Sequence, residues 1–277
     1  MSDFITFMAA PAVGCLVMSF MFTYFGIHVL KRGIVFIDLS MAQLAALGTT
    51  VAFTLGLEEN SFGVVLFSIG FVFTGALFFT LVRFMAPRIS QEAVIGIVYV
   101  VAASSAVIVA DHSPRAAEHI QHTLNGSILW ISWKGVLQLL TAFIILGGFL
   151  WFTRKPFIKC TDEAHSLEPY TQKRELWDFV FYLTLGLAIV ACIQTAGIFL
   201  IFTLLIIPAA CAIQLYDSLG KQLWAGTLMG VLVSWAGLGL SFIYDLPTGS
   251  TLVCAFGITF MIILSFSFLL RKRGETR

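Results

Sequence analysis

Charged residues are scarce in this sequence. Only 11% of its 277 residues are Asp, Glu, Lys or Arg, whereas 59% are hydrophobic. A soluble globular chain carries about 25% charged residues and about 45–50% apolar ones. This chain therefore has too few charges to cover a water-facing surface. The composition excludes a soluble globular fold and predicts that lipid surrounds most of the protein.

Several catalytic and binding motifs are also missing. The sequence contains no G-x-x-x-x-G-K-[ST] loop to hold nucleotide phosphates, no H-E-x-x-H motif and no G-x-S-x-G motif. Residues 118–122 read E-H-I-Q-H, and their order and spacing differ from those of a metalloprotease helix. Basic residues form no stripe that could neutralise nucleic-acid phosphates. These absences predict a chain that is not an enzyme, binds no cofactor of its own and binds no nucleic acid.

Long apolar runs predict nine membrane-spanning helices, because a bilayer core requires about 20 mostly apolar residues per helix. The first run is too long for a signal peptide and predicts a retained helix. The break at 194–197 is short enough to be a tight turn or a kink, so eight spans are an alternative. The predicted spans are 4–30, 34–56, 61–82, 92–110, 134–152, 177–194, 197–215, 222–243 and 249–270. The predicted fold class is an all-α, polytopic membrane helix bundle that forms one domain over residues 1–277.

Basic residues predict the orientation of these spans. If the N-terminus is outside, only Arg115 and Lys134 of the 16 Lys and Arg residues fall on the outer side. Cytoplasmic loops are enriched in Lys and Arg, so the prediction is an N-terminus outside and a C-terminus inside. The longest polar stretch, residues 153–176, then lies in the cytoplasm, and the loop over residues 111–133 lies outside.

Two polar side chains of the second span are candidate metal ligands. Ionisable groups within lipid are costly and usually functional. In a helix, Asp38 would lie about 9 Å deeper than Arg32. Asp38 either lines a transport pathway or is an interfacial acid paired with Lys31. Gln43 lies deeper and serves either as a ligand or as a hydrogen-bonding group between helices.

The outer loop carries a second candidate metal site. His112, Glu118, His119 and His122 lie close together in the sequence, and a helix would place His119 and His122 on one face. Neutral imidazole and carboxylate suit zinc, iron or manganese. The loop therefore either captures a metal transiently or is an ordinary solvated loop.

Pro208 is a candidate hinge in the seventh span. A proline inside a helix removes one hydrogen bond and kinks the helix. Such a kink either serves as a hinge during transport or has a purely structural role.

The chain resembles the permease subunits of bacterial zinc, manganese and iron ABC importers, and the resemblance covers nearly all of the sequence. Each matching stretch is weak alone, but their order and spacing are specific. The stretches are Lys31–Arg32, Val35–Asp38, Ala42–Gly48, Glu92–Ile97, Asn125–Leu129, Gly197–Ala212 and Tyr244–Gly249.

The resemblance implies a homodimer of permeases in the bacterial plasma (inner) membrane. It also implies two cytoplasmic ATP-binding cassette ATPase subunits and an extracytoplasmic metal-binding protein as partners. The family's coupling helix, which contacts the ATPase, corresponds to Asp162, Glu163, Ala164, His165, Ser166, Leu167 and Glu168. Relatives usually have glycine where this chain has Glu168.

A second departure concerns the metal ligands of the second span. Relatives commonly place an acid and a histidine four residues apart, and the corresponding positions here are Leu39 and Gln43. Asp38 and Gln43 are separated by roughly 140° around a helix, rather than by about 40°. One chain cannot easily grip an ion with both side chains, although two chains could share the task.

The predicted function is therefore the permease subunit of an importer for zinc, manganese or iron that works by ATP-driven alternating access. Three alternatives remain at this stage. They are an ABC permease for a metal chelate or corrinoid, a secondary transporter driven by an ion gradient, and a membrane-embedded enzyme.

Overall fold

Nine long α-helices make up most of the chain in a computed structural model, which describes residues 2–58, 61–85, 88–111, 123–124, 126, 128–162 and 172–274. The helices are α1 (Ser2–Arg32), α2 (Ile37–Thr54), α3 (Phe62–Met85), α4 (Gln91–Ala110), α5 (Trp133–Asp162), α6 (Gln172–Ala196), α7 (Ile198–Leu215), α8 (Leu219–Tyr244) and α9 (Thr248–Gly274). A short 3-10 turn, Ile128–Trp130, precedes α5. The described residues contain no strand, which confirms the all-α prediction.

Each of the nine helices is long and apolar enough to cross a membrane, as judged over the described residues. The prediction of nine spans is thus confirmed at the level of length and composition. Large apolar side chains face outward, and Phe152 is 89% exposed. Lipid is the solvent that accommodates such a surface, because it imposes no cost on exposed hydrocarbon.

The fifth helix is longer than the sequence predicts. It continues from the predicted end at residue 152 to Asp162, so the first part of the polar stretch 153–176 is helical. Phe157 is fully buried, and its ring lies 5.8 Å from that of Trp177 and 6.0 Å from that of Phe181. The hydropathy of residues 153–162 did not predict this extension, because aromatic packing against α6 stabilises these helical turns.

The backbone groups into two compact units. The first unit comprises Met1–Leu30, Ser127–Thr141 and Phe199–Arg277, and the second comprises Lys31–Gly126 and Ala142–Ile198. The first unit therefore contains most of α1 with α7, α8 and α9. The second contains α2, α3, α4, much of α5 and α6.

In the first unit, α1 packs closely against α8 along a row of small residues. A Cβ atom added to Gly226 would lie 2.6 Å from Cγ2 of Thr23, and one added to Gly230 would lie 3.0 Å from Cβ of Ser19. The indole Nε1 of Trp235 donates to the carbonyl oxygen of Ala12 at 3.1 Å. Small residues allow this close approach of helices within a membrane.

In the second unit, α2 is the central helix and contacts α3, α4 and α6. It is the least apolar and the most buried of the nine spans. Oγ1 of Thr49 lies 2.6 Å from Oγ of Ser68 in α3, and a Cβ atom at Gly48 would lie 2.7 Å from the carbonyl oxygen of Phe67. Most of α2 therefore lies inside the protein and faces little lipid.

The short break between α6 and α7 is a true helix end. Gly197 has a φ of 75°, and its N–H donates to the carbonyl oxygen of Ile193 at 2.9 Å. A left-handed glycine with this hydrogen bond is a common way to end a helix. Gly126, with a φ of 66°, packs directly on the backbone of Ala196 and Gly197. The chain therefore forms two separate spans here, as the nine-span prediction requires.

Candidate functional site

The turn between α1 and α2 lies between a basic and an acidic residue of the second unit. It consists of residues 33–36, and we refer to it as the α1–α2 turn. Gly33 has a φ of 68°, a conformation that side-chain-bearing residues rarely adopt. The basic Arg32 ends α1 directly before the turn, and the acidic Asp38 lies in the first turn of α2 directly after it.

Arg32 is held by three contacts that define the Arg32 cluster. Its Nη1 donates to Oδ1 of Asp178 in α6 at 2.7 Å, and its Nε donates to Oγ1 of Thr161 in α5 at 3.1 Å. Its guanidinium carbon lies 4.1 Å from the ring centroid of Phe181. The side chains of Arg32 and Asp178 are only 4% and 3% exposed. The cluster is therefore a buried ion pair that connects the end of α5, the start of α6 and the α1–α2 turn.

Glu92 anchors the other end of the same turn. Its Oε1 accepts a hydrogen bond from the backbone N–H of Phe36 at 3.0 Å. This contact satisfies a donor at the N-terminus of α2, where the local side chain provides no cap. One turn further on, Oγ of Ser40 donates to the carbonyl oxygen of Ile95 at 2.6 Å. The beginning of α2 is therefore fixed to the beginning of α4.

Asp38 is buried without a partner. It is 1% exposed, and neither carboxylate oxygen has a hydrogen-bond partner among the described residues. The alternative in which Asp38 pairs with Lys31 is therefore wrong for this structure. The helix N-terminus favours a negative charge at this position, and a carboxyl group can accept a proton or bind a cation.

Gln43 lies one and a half turns further along α2 and is also buried. Asp38 and Gln43 are thus both in the interior of the second unit, as the metal-ligand prediction requires. Within the described residues, no group of three or more His, Cys, Asp and Glu side chains could hold a metal ion. A metal ligand role for Asp38 or Gln43 stays a prediction.

Two further sets of predicted site residues lie largely outside the described residues. The outer-loop set comprises His112, Glu118, His119 and His122, and none of these is described. Of the coupling segment, only Asp162 is described, as the exposed last residue of α5. Glu163, Ala164, His165, Ser166, Leu167 and Glu168 lie outside the described range. Both roles stay predictions.

Pro208 lies within α7, and the helix continues on both sides of it. Its carbonyl oxygen would be 3.0 Å from a Cβ atom on Gly226, and its ring Cγ would be 3.6 Å from one on Gly230. Pro208 therefore fits against the two glycines of α8 in the first unit. This packing gives the proline a structural role, and the hinge role stays a prediction.

The Arg32 cluster and the Glu92 contact were missed by sequence reasoning. One signal was present, because Asp178 is an acid inside the predicted sixth span and an ionisable residue within lipid requires a partner. The identity of that partner was not available, since Arg32 precedes it by 146 residues. Glu92 belongs to a stretch that carries the family resemblance, but nothing in its spacing relates it to Phe36.

A family model described as the ABC 3 transport family matches residues 4–267. The manganese transport system membrane protein MntB of Synechocystis sp. is 28% identical over 218 residues, which cover 78% of this chain and 69% of that protein. The chelated iron transport system membrane protein YfeC of Yersinia pestis is 29% identical over 221 residues, covering 76% of this chain and 73% of that protein.

A solved structure has the same fold. A chain of PsaBC from Streptococcus pneumoniae, determined in complex with Fab, matches with a TM-score of 0.76 and 19% sequence identity. The match covers 94% of this chain and 93% of that chain. The two chains therefore share a fold although few of their residues are identical.

Proposed function

The chain belongs to the ABC 3 transport family, and we propose that it is the permease of an importer that moves a divalent transition metal ion into the cytoplasm. It is a multi-pass protein of the plasma membrane. The family match over residues 4–267 carries the transporter class. Relatives named for the transport of manganese and chelated iron support manganese and iron as cargo. Zinc is a third candidate cargo, because the sequence also resembles the permeases of zinc importers.

The buried carboxylate of Asp38 supports a cationic cargo. A divalent ion that leaves water loses its hydration and needs replacement ligands along its path. Asp38 offers two oxygens that no described side chain engages, on the most buried of the nine described spans. A carboxyl group without a side-chain partner is a suitable transient ligand, because it can bind the ion without forming a closed site.

The energy for transport comes from partner subunits in this proposal. The chain has no nucleotide-binding loop, so two ATP-binding cassette ATPase subunits hydrolyse ATP beneath a homodimer of permeases. An extracytoplasmic binding protein delivers the ion. With the N-terminus outside, the segment after Asp162 faces the ATPase, and nucleotide-driven closure of the ATPase pair switches the permease between outward and inward access.

Uptake by reconstituted vesicles tests this proposal. The permease, its ATPase and its binding protein are reconstituted together, and ATP-dependent uptake of radioactive Mn²⁺, Fe²⁺ and Zn²⁺ is measured. We expect Asp38→Ala to lower uptake of the carried metal by about tenfold or more, as for the loss of a group that supports metal binding. Asp217→Asn, at an exposed acid between α7 and α8, is the matched control.

A variant with His112, His119 and His122 changed to Ala tests the outer loop in the same assay. Unchanged uptake in both this variant and Asp38→Ala would remove these residues from the mechanism. Uptake that proceeds without ATP would contradict the proposed function and favour a secondary transporter.

A metal chelate is the second candidate cargo, because one relative is named for chelated iron transport. The same vesicles distinguish the two cargoes. Uptake of the free ions supports the first proposal, whereas uptake of an iron chelate without uptake of free Fe²⁺ supports the second.

A further inference from the structure

Arg32 lies where three parts of the second unit meet. One guanidinium contacts Thr161, in the last turn of α5, and Asp178, in the second turn of α6. These two helices are the ones that the segment of residues 163–171 connects. Arg32 itself is the last residue of α1, so its backbone continues directly into the α1–α2 turn.

The geometry of the cluster is specific to arginine. The planar guanidinium donates in two directions and stacks on a ring at the same time, which a lysine ammonium cannot reproduce. Oγ1 of Thr161 accepts from Nε of Arg32 and donates to the carbonyl oxygen of Phe157 at 2.9 Å. The hydroxyl of Thr161 is therefore held in place by its own helix.

Stability alone does not account for this ion pair. Replacing a buried ion pair by apolar side chains is often neutral or stabilising, because the charges lose their hydration. In addition, Nη2 of Arg32 has no hydrogen-bond partner among the described residues. The cluster thus leaves hydrogen-bonding capacity unused in this conformation. What the pair does provide is a fixed position of Arg32 relative to α5 and α6.

The α1–α2 turn is anchored at both ends. Arg32 is bound to α5 and α6, and four residues later the N–H of Phe36 is bound to Glu92 of α4. Ile34 is buried between them. So short a connection between two anchors has little slack, and a displacement of Arg32 therefore moves the first turn of α2.

A second series of contacts, made by side chains, connects Arg32 to the N-terminus of α4. The ring of Phe181, beneath Arg32, lies 5.9 Å from that of Tyr182. The hydroxyl of Tyr182 accepts from Nε2 of Gln91 at 2.6 Å. Gln91 directly precedes Glu92, so the side-chain contacts end at the N-terminus of α4 and reach α2 through the hydrogen bond of Glu92 to Phe36.

We propose that Arg32 is a positioning residue that couples the end of α5 and the start of α6 to the first turn of α2, which carries Asp38. When the ends of α5 and α6 are displaced, the Arg32 cluster passes the displacement to Asp38. This inference rests on the proposed function, because the ATPase acting next to Asp162 is the source of the displacement. Arg32 itself touches no cargo.

The first experiment measures coupling in the complete reconstituted complex, as Mn²⁺ taken up per ATP hydrolysed. We expect Arg32→Gln and Thr161→Val to lower this ratio by about tenfold, within the usual range of a coupling free energy. Thr161→Val keeps the approximate volume of the side chain and removes its hydroxyl, which contacts Arg32 and the carbonyl oxygen of Phe157. Lys31→Gln, the neutralisation of the adjacent basic residue, should leave the ratio within about twofold of that of the unchanged protein.

The second experiment needs no cargo. Hydrogen exchange of residues 31–40 is measured in the permease–ATPase complex, without nucleotide and with ATP plus vanadate. We expect nucleotide to change exchange in this segment of the unchanged protein. In Thr161→Val this change should disappear, while the last turn of α5 still responds. Purification of the variant with its ATPase in normal yield excludes simple misfolding.

The outcomes separate the two proposals. A complex that couples nucleotide to residues 31–40 but carries none of the tested metals contradicts the proposed cargo and leaves the role of Arg32 intact. Should Thr161→Val and Arg32→Lys both keep the transport ratio and the nucleotide-dependent exchange, the role of Arg32 is overturned. This conclusion would stand even if Arg32→Gln did not fold.

Discussion

The backbone N–H of Phe36, which precedes α2, donates to Oε1 of Glu92 in the first turn of α4 at 3.0 Å. The cap of α2 is thus supplied by a different helix, 56 residues away in the sequence. This contact satisfies a backbone N–H at the start of α2, and it also fixes the start of α2 to the start of α4.

Glu92→Ala should destabilise the protein by about 1 kcal/mol, as the loss of a helix cap usually does. Glu92→Gln should cost less, because the amide oxygen still accepts from Phe36. Thermal unfolding in detergent measures both effects. Glu58→Ala, at an exposed acid after α2, is the control and should be nearly neutral. Equal losses for the Ala and Gln variants would argue against the capping role.

Gly226→Ala should destabilise the first unit by about 1–3 kcal/mol, the usual range for overpacking. The new Cβ would meet Cγ2 of Thr23 at 2.6 Å and the carbonyl oxygen of Pro208 at 3.0 Å. Gly239→Ala on the same helix meets no atom within 4 Å and should be neutral or slightly stabilising, because Ala favours helix. Thermal unfolding in detergent compares the stability of the two variants.

Adding Thr23→Ser to Gly226→Ala should recover part of the loss, since it removes the Cγ2 atom. If Gly226→Ala proves as stable as Gly239→Ala, the close packing of α1 on α8 is not as the structure shows.

Gly197→Ala should destabilise the protein by about 1–2 kcal/mol, because a residue with a Cβ is strained in the left-handed conformation. Gly197→Asn should be tolerated better, since Asn adopts this conformation more readily. The control is Gly148→Ala in α5, where a Cβ meets no atom within 4 Å. A Gly197→Ala protein that unfolds at the same temperature as the control would show that the break between α6 and α7 does not depend on glycine.

Cysteine labelling should establish the orientation of the chain. Asp162→Cys and Glu58→Cys place thiols at exposed positions after α5 and after α2. In a background without native cysteines, a membrane-impermeant maleimide should label Glu58→Cys in intact cells and Asp162→Cys only after permeabilisation. The native Cys160 is a poor reporter because it is buried. Labelling of Asp162→Cys from outside would place the predicted coupling segment away from the ATPase.

The spans were predictable because hydropathy is a local property. About 20 apolar residues in succession suffice to define a helix across a bilayer, and the predicted ranges 61–82, 92–110 and 197–215 agree closely with α3, α4 and α7. The extension of α5 to Asp162 was not predictable in this way. Its residues are polar by composition, and the packing of Phe157 on α6 keeps them helical.

The candidate site was predictable only in part. Asp38 stood out because an acid within a span is costly and requires a reason, and the structure places it in the interior. Its supposed pairing with Lys31 was inferred from spacing along one helix, and the structure contradicts it. The His residues of the outer loop and most of the coupling segment lie outside the described residues, so their roles rest on the sequence.

The sequence by itself determined that this protein lies in lipid, that it has eight or nine apolar spans and that it resembles a transporter family. These conclusions depend on short windows of composition and on motifs in a fixed order. Only the tertiary structure decided that Arg32 pairs with Asp178 and that Glu92 caps α2. Such contacts depend on which helices become neighbours, and the shared apolar composition of the spans carries no information about that choice.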